Sequence, residues 1–185
     1  MKKVLKWVGI GFIVLLVVAI VGAWAMFGIF VKAARSIEKL EDGLYSMEFA
    51  GDYGFDEFLA QGGADSDSDV ADYLVSFLSH GFYKNDSKTE AGSFGCSTIY
   101  TQDADGAYFF GRNYDWTECS AMIVHTKPKN GYESLSTCCL DFLGFGDGYA
   151  PDGSMMERMQ SIAAIYVPLD GMNSEGLVVA DLIGR

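Results

Sequence analysis

An uninterrupted apolar run near the start of the chain constrains the fold more than any other feature. Residues 7–31 form a stretch of 25 residues without a charged side chain. As a helix, that length crosses the hydrocarbon core of a bilayer. Residues 1–35 are therefore predicted to be an N-terminal membrane anchor or signal segment. Preceding lysines favour a cytoplasmic N-terminus, but basic residues also follow the run: Lys2, Lys3 and Lys6 before it, Lys32, Arg35 and Lys39 after it.

A cleaved signal peptide is the competing interpretation of this segment. Residues 23–25 read Ala-Trp-Ala, the small-x-small form of a cleavage site, and cleavage there would give a secreted product. The apolar run continues through Val31, which is longer than a usual signal core. An uncleaved anchor with the remaining chain outside the cytoplasm is therefore the preferred prediction.

The charge of the chain changes sign just after the apolar run. The first 35 residues carry five basic and no acidic side chains, whereas the remaining 150 carry 8 basic and 25 acidic ones, a net charge of −17. Such an acidic region repels nucleic acid and anionic lipid surfaces. Nucleic acid is therefore not an expected partner, and membrane contact is expected only through residues 7–31.

The pattern after the anchor predicts a mixture of helices and strands. In the segment 36–95, which precedes the first cysteine and is interpreted as propeptide-like, a serine N-cap and helical apolar spacing predict a helix near 68–80. Residues 43–63 show no sustained period. Short β-branched and aromatic runs follow residue 95, together with a short helical pattern at 155–163. The fold class is therefore predicted to be α+β.

Cys96 begins the first of the later strands and is the candidate nucleophile. A turn signal at 103–106 separates it from Arg112 and Asp115, which follow it by 16 and 19 residues. A hairpin at that turn would bring the arginine and the aspartate alongside the cysteine. A nearby cation stabilises a thiolate, which is the nucleophilic form of cysteine.

Two segments carry a resemblance to a known family. Residues 96–116, which contain Cys-Ser-Thr-Ile-Tyr and Gly-Arg-Asn-Tyr-Asp-Trp, resemble the start of the choloylglycine hydrolase and penicillin V acylase family of linear amide C–N hydrolases. Residues 168–180, Pro-Leu-Asp-Gly-Met-Asn-Ser-Glu-Gly-Leu-Val-Val-Ala, resemble the family's internal Asp-Gly-Met-Asn…Gly-Leu motif. The resemblance implies a partial αββα sandwich of the N-terminal nucleophile hydrolase type, preceded here by a transmembrane helix.

The resemblance also implies an activation step. In the family the nucleophilic cysteine is the N-terminus of the mature chain, whereas 95 residues precede Cys96 here. Self-cleavage between Gly95 and Cys96 is therefore expected, and the freed α-amine would then act as a base for the thiol. By the same resemblance, Arg112 favours the thiolate and Asp115 holds the α-amine by a charge-assisted hydrogen bond.

The second motif is implied to shape the substrate pocket and the oxyanion site. Asn173 lies within this motif, and Asp170-Gly171 reads as a turn. A backbone N–H near Ile183 is implied to be an oxyanion donor. Several family members have asparagine at that position, and the isoleucine side chain cannot donate.

The remaining cysteines leave two alternatives open. Cys138 and Cys139 are adjacent and would point to opposite faces of a strand, so they are poor partners for each other. Cys119 with either of them could form a disulfide, and three free thiols are equally compatible with the sequence. No zinc-type spacing occurs, so neither a metal nor a cofactor is predicted.

The predicted function is that of an exported cysteine amidase that acts through a thioester. Its substrate would be a linear amide such as a bile-salt conjugate, an N-acyl amino acid or lactone, or penicillin V, and acyl transfer through the same thioester is a variant. Family members extend well past the second motif, so residues 96–185 are expected to be an incomplete, inactive part of the domain. The alternative is a truncated, non-catalytic, membrane-anchored remnant.

Overall fold

Helices and strands are mixed along the chain in the computed structural model of this protein, which confirms the α+β prediction. The structure describes residues 2–81, 95–115, 119–143 and 148–181. The helices are α1 (Lys2–Ser36), α2 (Phe55–Ala60), α3 (Asp67–Leu78) and α4 (Met155–Ser161), with 3-10 turns at Leu140–Leu143 and Ile162–Tyr166. The strands are β1 (Glu38–Glu41), β2 (Leu44–Ala50), β3 (Gly95–Gln102), β4 (Tyr108–Asp115), β5 (Ala121–Lys127), β6 (Ser134–Cys139), β7 (Asp170–Asn173) and β8 (Val178–Ala180).

Six of these strands form one mixed sheet in the order β1-β2-β5-β6-β7-β8. The pair β2–β5 is parallel, with Leu44 opposite Ala121, and the other pairs are antiparallel. Strands β3 and β4 form a separate two-stranded sheet. Residues 36–95 thus contribute two strands to the sheet that is otherwise built from residues beyond Cys96.

Strand β2 lies within residues 43–63, the segment for which the sequence predicted neither a helix nor a strand. Tyr45, Met47 and Phe49 alternate with more exposed neighbours and are 8%, 1% and 0% exposed. This period of two is typical of a half-buried strand. The alternation was available as a signal, but it covers only three inward positions among glycines and acidic residues.

Helix α1 consists of an exposed part and a buried part. The described side chains before Phe27 are exposed, whereas Phe30, Ala33 and Ala34 are 3%, 2% and 0% exposed. The exposed apolar part, residues 7–26, is about 30 Å long at 1.5 Å per residue, which equals the thickness of a bilayer core. Residues Lys6–Ser36 are long and apolar enough to cross a membrane, a property that signal sequences near the N-terminus share.

The buried end of α1 packs on one face of the six-stranded sheet. The core there contains Phe49 from β2, Met122 and Val124 from β5, and Ile162 from the second 3-10 turn. Arg158 of α4 donates from Nη1 to the carbonyl oxygens of Ala34 and Ile37 at 3.3 and 2.9 Å. These bonds satisfy carbonyl groups that the end of a helix otherwise leaves without partners.

Helix α3 begins at a serine cap. The Ser66 hydroxyl accepts a hydrogen bond from the Asp69 backbone N–H at 3.3 Å, the contact that N-cap residues provide. Partly buried Phe77 connects this helix to the core. The helix therefore packs beside the end of α1, where Phe30 and Phe77 have ring centroids 6.1 Å apart.

Candidate functional site

The β3–β4 hairpin brings Cys96 and Arg112 to the same face. Its antiparallel register places Cys96 opposite Tyr114 and Thr98 opposite Arg112. Because side chains alternate along a strand, all four point to one side of the hairpin. The turn is closed by the Asp103 carboxylate, which accepts from the backbone N–H groups of residues 105 and 107 at 2.9 and 2.8 Å.

The guanidinium of Arg112 contacts the candidate nucleophile directly. Its Nη2 atom lies 3.1 Å from the Cys96 Sγ atom, and the arginine side chain is only 5% exposed. Solvent therefore screens this contact weakly, and the positive charge stands where a thiolate would form.

Arg112 is also bound to the second motif. Nη1 donates to Asp170 Oδ2 at 3.1 Å, and Nη2 donates to the carbonyl oxygen of Asp181 at 2.8 Å. The Arg112 Cζ atom lies 5.3 Å from the centroid of the Tyr114 ring, within the range of a cation–π interaction. Arg112 thus joins the thiol to residues 58 and 69 positions further along the chain.

Sequence reasoning missed both acceptors in this second segment. The turn expected at Asp170-Gly171 is wrong: these residues begin β7 and pair with β6 and β8. The turn comes later, at residues 174–176, because Asn173 can cap it. Asp170 was one of two acidic residues of the motif, with Glu175, that could pair with a buried arginine. A backbone carbonyl such as that of Asp181 leaves no sequence signal.

Asn173 shapes the turn between β7 and β8. Its Oδ1 atom accepts from the backbone N–H groups of Glu175 and Leu177 at 3.0 and 2.9 Å. Gly176 has φ 82° there, a conformation that suits glycine. Asn173 is three residues beyond Asp170, or about 10 Å along an antiparallel strand. The expected oxyanion donor Ile183 lies outside the described residues.

Asp115 lies on the opposite face of the hairpin from the Cys96 thiol, by strand alternation. Its Oδ1 atom accepts from Asn113 Nδ2 at 2.6 Å, and in the register it stands across from Gly95. Any contact with an α-amine of Cys96 requires the chain to be cut first. Its expected role therefore stays a prediction.

Tyr114 connects Cys96 to the other thiols. Burial raises the pKa of the Tyr114 phenol, and the nearby Cys139, Cys119 and Cys96 add to the effect. Cys138 points into the core, where burial raises the pKa of its thiol to about 12. The four cysteines, all within the described residues, form no disulfide, and only Cys138 among them belongs to the main core.

An apolar cleft begins beside the residues that hold Arg112. Its volume is about 730 Å³; Asp170 and Asp181 line its wall, whereas Cys96 and Arg112 do not. Tyr166 Oη is buried without a hydrogen-bond partner among the described residues, and burial raises the pKa of this phenol. The wall includes aromatic and aliphatic side chains from several elements: Tyr53, Phe55, Phe58, Leu74 and Ile165.

A larger cavity of about 990 Å³ lies between α1 and α3. Acidic side chains line it, including Asp52, Glu57 and Asp72, and neither Cys96 nor Arg112 does. It therefore contributes nothing to the chemistry of the thiol.

Comparisons of the chain with protein-family models, curated proteins and solved structures find no match. Its function is therefore inferred from the residues and geometry of the site.

Proposed function

We propose that this chain carries the nucleophile of an exported cysteine amidase of the N-terminal nucleophile type, which cleaves linear amides through a thioester. The observation that carries the proposal is the position of Arg112, 3.1 Å from Cys96 Sγ and 3.1 Å from Asp170 Oδ2. One buried cation thus binds residues from both sequence motifs. Ordinary surface ion pairs have no such third partner and are mostly solvated.

Activation begins with attack of the Cys96 thiolate on the Gly95 carbonyl carbon. The Gly95–Cys96 peptide bond breaks, the departing amine takes up a proton, and a thioester remains. Water hydrolyses this thioester, which releases the Gly95 carboxylate and restores the thiol. Gly95 has no side chain to obstruct the attack, and Arg112 stabilises the thiolate that initiates it.

Turnover uses the same sulfur with the new α-amine as its base. The amine takes the Cys96 proton, and the thiolate adds to the substrate amide carbonyl. Collapse of the tetrahedral intermediate expels the substrate amine, which receives that proton, and water then hydrolyses the acyl-thioester. Asp115 stands across from the Gly95 position that the cut would open, which supports its role in holding the α-amine.

The apolar cleft supports a substrate with a bulky apolar acyl group. At about 730 Å³ it falls within the size range of small-molecule sites. Polar groups stand at one part of its wall, where Asp170, Asn173 and Asp181 line it. A steroid acyl group, a fatty acyl group and a phenoxyacetyl group all meet this description, so bile-salt, N-acyl and penicillin V amides remain the proposed substrates.

The exposed part of α1 supports membrane anchoring, and the site is proposed to lie outside the cytoplasm. Residues 7–26 match the bilayer core in length, and the folded core begins at once with Phe27 and Phe30. Signal cleavage after Ala25 would leave the same core intact. The anchored and the secreted alternatives therefore differ in whether the protein stays attached to the membrane, whereas the structure around Cys96 is the same in both.

Intact-mass analysis of the full chain in detergent tests the activation step. We expect two fragments, residues 1–95 and 96–185, and a single uncut chain in Cys96→Ala. Cys138→Ala removes a different thiol and is the matched control, which should still be cut. An uncut wild-type chain with an unmodified Cys96 would overturn the proposal.

A second measurement tests acyl transfer to the thiol without requiring turnover. The cleaved chain is incubated in turn with penicillin V, a glycine-conjugated bile acid and an N-acyl amino acid. We expect an acyl adduct on the peptide that begins with Cys96, and its release by an added amine would indicate acyltransferase activity. Absence of any adduct on a correctly cleaved chain would favour the non-catalytic alternative.

A further inference from the structure

Three metal-binding groups converge on the side of the sheet away from the main core. The Sγ atoms of Cys119 and Cys139 and a carboxylate oxygen of Asp141 all lie within 4.8 Å of one another. Cys139 Sγ and Asp141 Oδ2 are 3.9 Å apart. Cys119 and Cys139 lie near Tyr114, which stands opposite Cys96 in the hairpin, and none of the three ligands belongs to the main core.

The sheet register explains this convergence. Ala121 stands opposite Cys139, and the Leu140 N–H donates to the Ser120 carbonyl at 2.8 Å, which extends the pairing beyond the strand. Cys119 is therefore diagonal to Cys139. It is two residues before Ala121 and points to the same side of the sheet. Asp141 follows β6 in the 3-10 turn Leu140–Leu143, and its carboxylate reaches the two sulfurs from there.

The same register distinguishes the two adjacent cysteines. Cys138 stands opposite Met122 and points into the core, whereas Cys139 points to the opposite face. The linear spacing of the cysteines does not resemble a zinc motif, because the ligands come from two strands and meet only through pairing. A sequence without zinc-type spacing can therefore still form such a site.

The position of Asp141 favours a metal ion over a disulfide. The Sγ atoms of Cys119 and Cys139 lie within 4.8 Å of each other, and the two residues form no disulfide. A carboxylate oxygen of Asp141 lies within the same distance of both sulfurs. There it would be a ligand of a bound ion, whereas a disulfide between the cysteines would give it no partner.

We propose that Cys119, Cys139 and Asp141 bind a zinc ion, with water at the fourth position. Two thiolates and one carboxylate are among the ligands that zinc takes in tetrahedral sites, and thiolates select zinc over magnesium or calcium. The two thiols each release a proton to solvent when the ion binds. The ion connects the start of β5 to the end of β6, beside the strand that carries Arg112.

Zinc binding to the full chain in detergent tests this site. The protein is purified with a non-thiol reductant, stripped of metal, and titrated with zinc against a chromogenic chelator. We expect one zinc per chain. Co²⁺ in place of zinc should produce thiolate-to-metal charge-transfer absorption.

Variants separate the proposed ligands from the other thiols. Cys119→Ser and Cys139→Ser should each weaken zinc binding by more than about tenfold, since even the loss of an outer-shell partner costs 10–100-fold. Asp141→Asn changes an exposed side chain, so it tests the site even if a cysteine variant fails to fold. Cys138→Ser is the matched control and should bind as the wild type does, as should Cys96→Ala.

Two outcomes would overturn the proposal. One is equal zinc binding by the wild type, Cys119→Ser and Asp141→Asn. The other is a Cys119–Cys139 disulfide, found by peptide mapping of protein isolated without reductant. Cys96→Ala removes the proposed nucleophile but retains the three zinc ligands. Zinc binding by this variant therefore tests the metal site independently of the amidase proposal.

Discussion

The six-stranded sheet and the β3–β4 hairpin are held in place by different forces. In the sheet, Phe49, Met122 and Val124 are fully buried, and the packing of apolar side chains stabilises the strands. In the hairpin, the outer ends of both strands expose large apolar side chains: Ile99 63%, Tyr100 66%, Tyr108 65% and Phe109 55%. Its described contacts with the sheet are concentrated at the Arg112 end.

Stability and the candidate nucleophile therefore lie in separate parts of this molecule. A substitution in the sheet removes buried surface and affects the whole fold. A substitution around Arg112 changes a few polar bonds and the environment of Cys96.

Self-cleavage before Cys96 should leave the two fragments bound together. Residues 1–95 contain β2, which pairs along its whole length with β5, and the end of α1, which is buried in the same core. Separation therefore requires unfolding of the sheet. Size-exclusion chromatography in mild detergent should show one species that resolves into two only in denaturant. Release of residues 1–95 under native conditions would contradict the shared core.

Phe49→Ala should destabilise the whole protein. Removal of a fully buried phenylalanine costs about 3–5 kcal/mol of unfolding free energy, and Phe49 is 0% exposed. Phe109→Ala is the matched control, because this hairpin phenylalanine is 55% exposed and surface changes stay within about 0.5 kcal/mol. Denaturant unfolding in detergent measures the unfolding free energy of both variants. Equal losses of unfolding free energy would contradict the distinction between sheet and hairpin.

Asp170→Asn should weaken the contact between the β3–β4 hairpin and the six-stranded sheet. Arg112 is 5% exposed and would lose its only described carboxylate partner, whereas Asp170 itself is 19% exposed. Breaking a fully buried pair costs 3–5 kcal/mol, so we expect about 2–3 kcal/mol here. The rate at which iodoacetamide alkylates Cys96 at neutral pH should also fall. Arg112 would be held by the Asp181 carbonyl without the carboxylate, and a less firmly held cation stabilises the thiolate less.

Asp181→Asn is the control for that variant. Asp181 binds Arg112 through its backbone carbonyl, which the substitution retains. Its unfolding free energy should stay within about 0.5 kcal/mol of the wild type. A similar loss in both variants would mean that charge near Arg112, and not the specific ion pair, determines the effect.

Asn173→Ala should have the smallest effect. It removes two hydrogen bonds that close an exposed turn, worth about 1 kcal/mol in total. If Asn173 only shapes the turn, the rate at which iodoacetamide alkylates Cys96 should not change. A marked change in that rate would instead give Asn173 a direct part in the site.

Local features of the sequence predicted local structure well. The apolar run predicted α1, and the serine cap with its helical spacing predicted a helix close to α3. The turn signal at 103–106 predicted the hairpin that aligns Cys96 with Arg112. In each case a few neighbouring residues contain the whole signal, because caps, turns and periodic faces act over one or two turns of chain.

Contacts between distant residues could not be predicted in this way. Nothing near Asp170 indicates that it meets Arg112, and nothing in the spacing of the cysteines indicates that Cys119 and Cys139 share a face with Asp141. Strand β2 was missed because its alternation is short, and its burial depends on a parallel partner, β5, that lies 77 positions later.

The sequence by itself determined the anchor-like helix, the α+β character, the acidic region that follows the helix and the local hairpin around the candidate nucleophile. Only the tertiary structure decided that residues before Cys96 belong to the main sheet, that Arg112 joins two motifs, and that two cysteines and an aspartate converge. The physical reason is that local hydrogen bonds specify turns and helices, whereas the pairing of distant strands depends on which faces can be buried together once the chain has closed long loops.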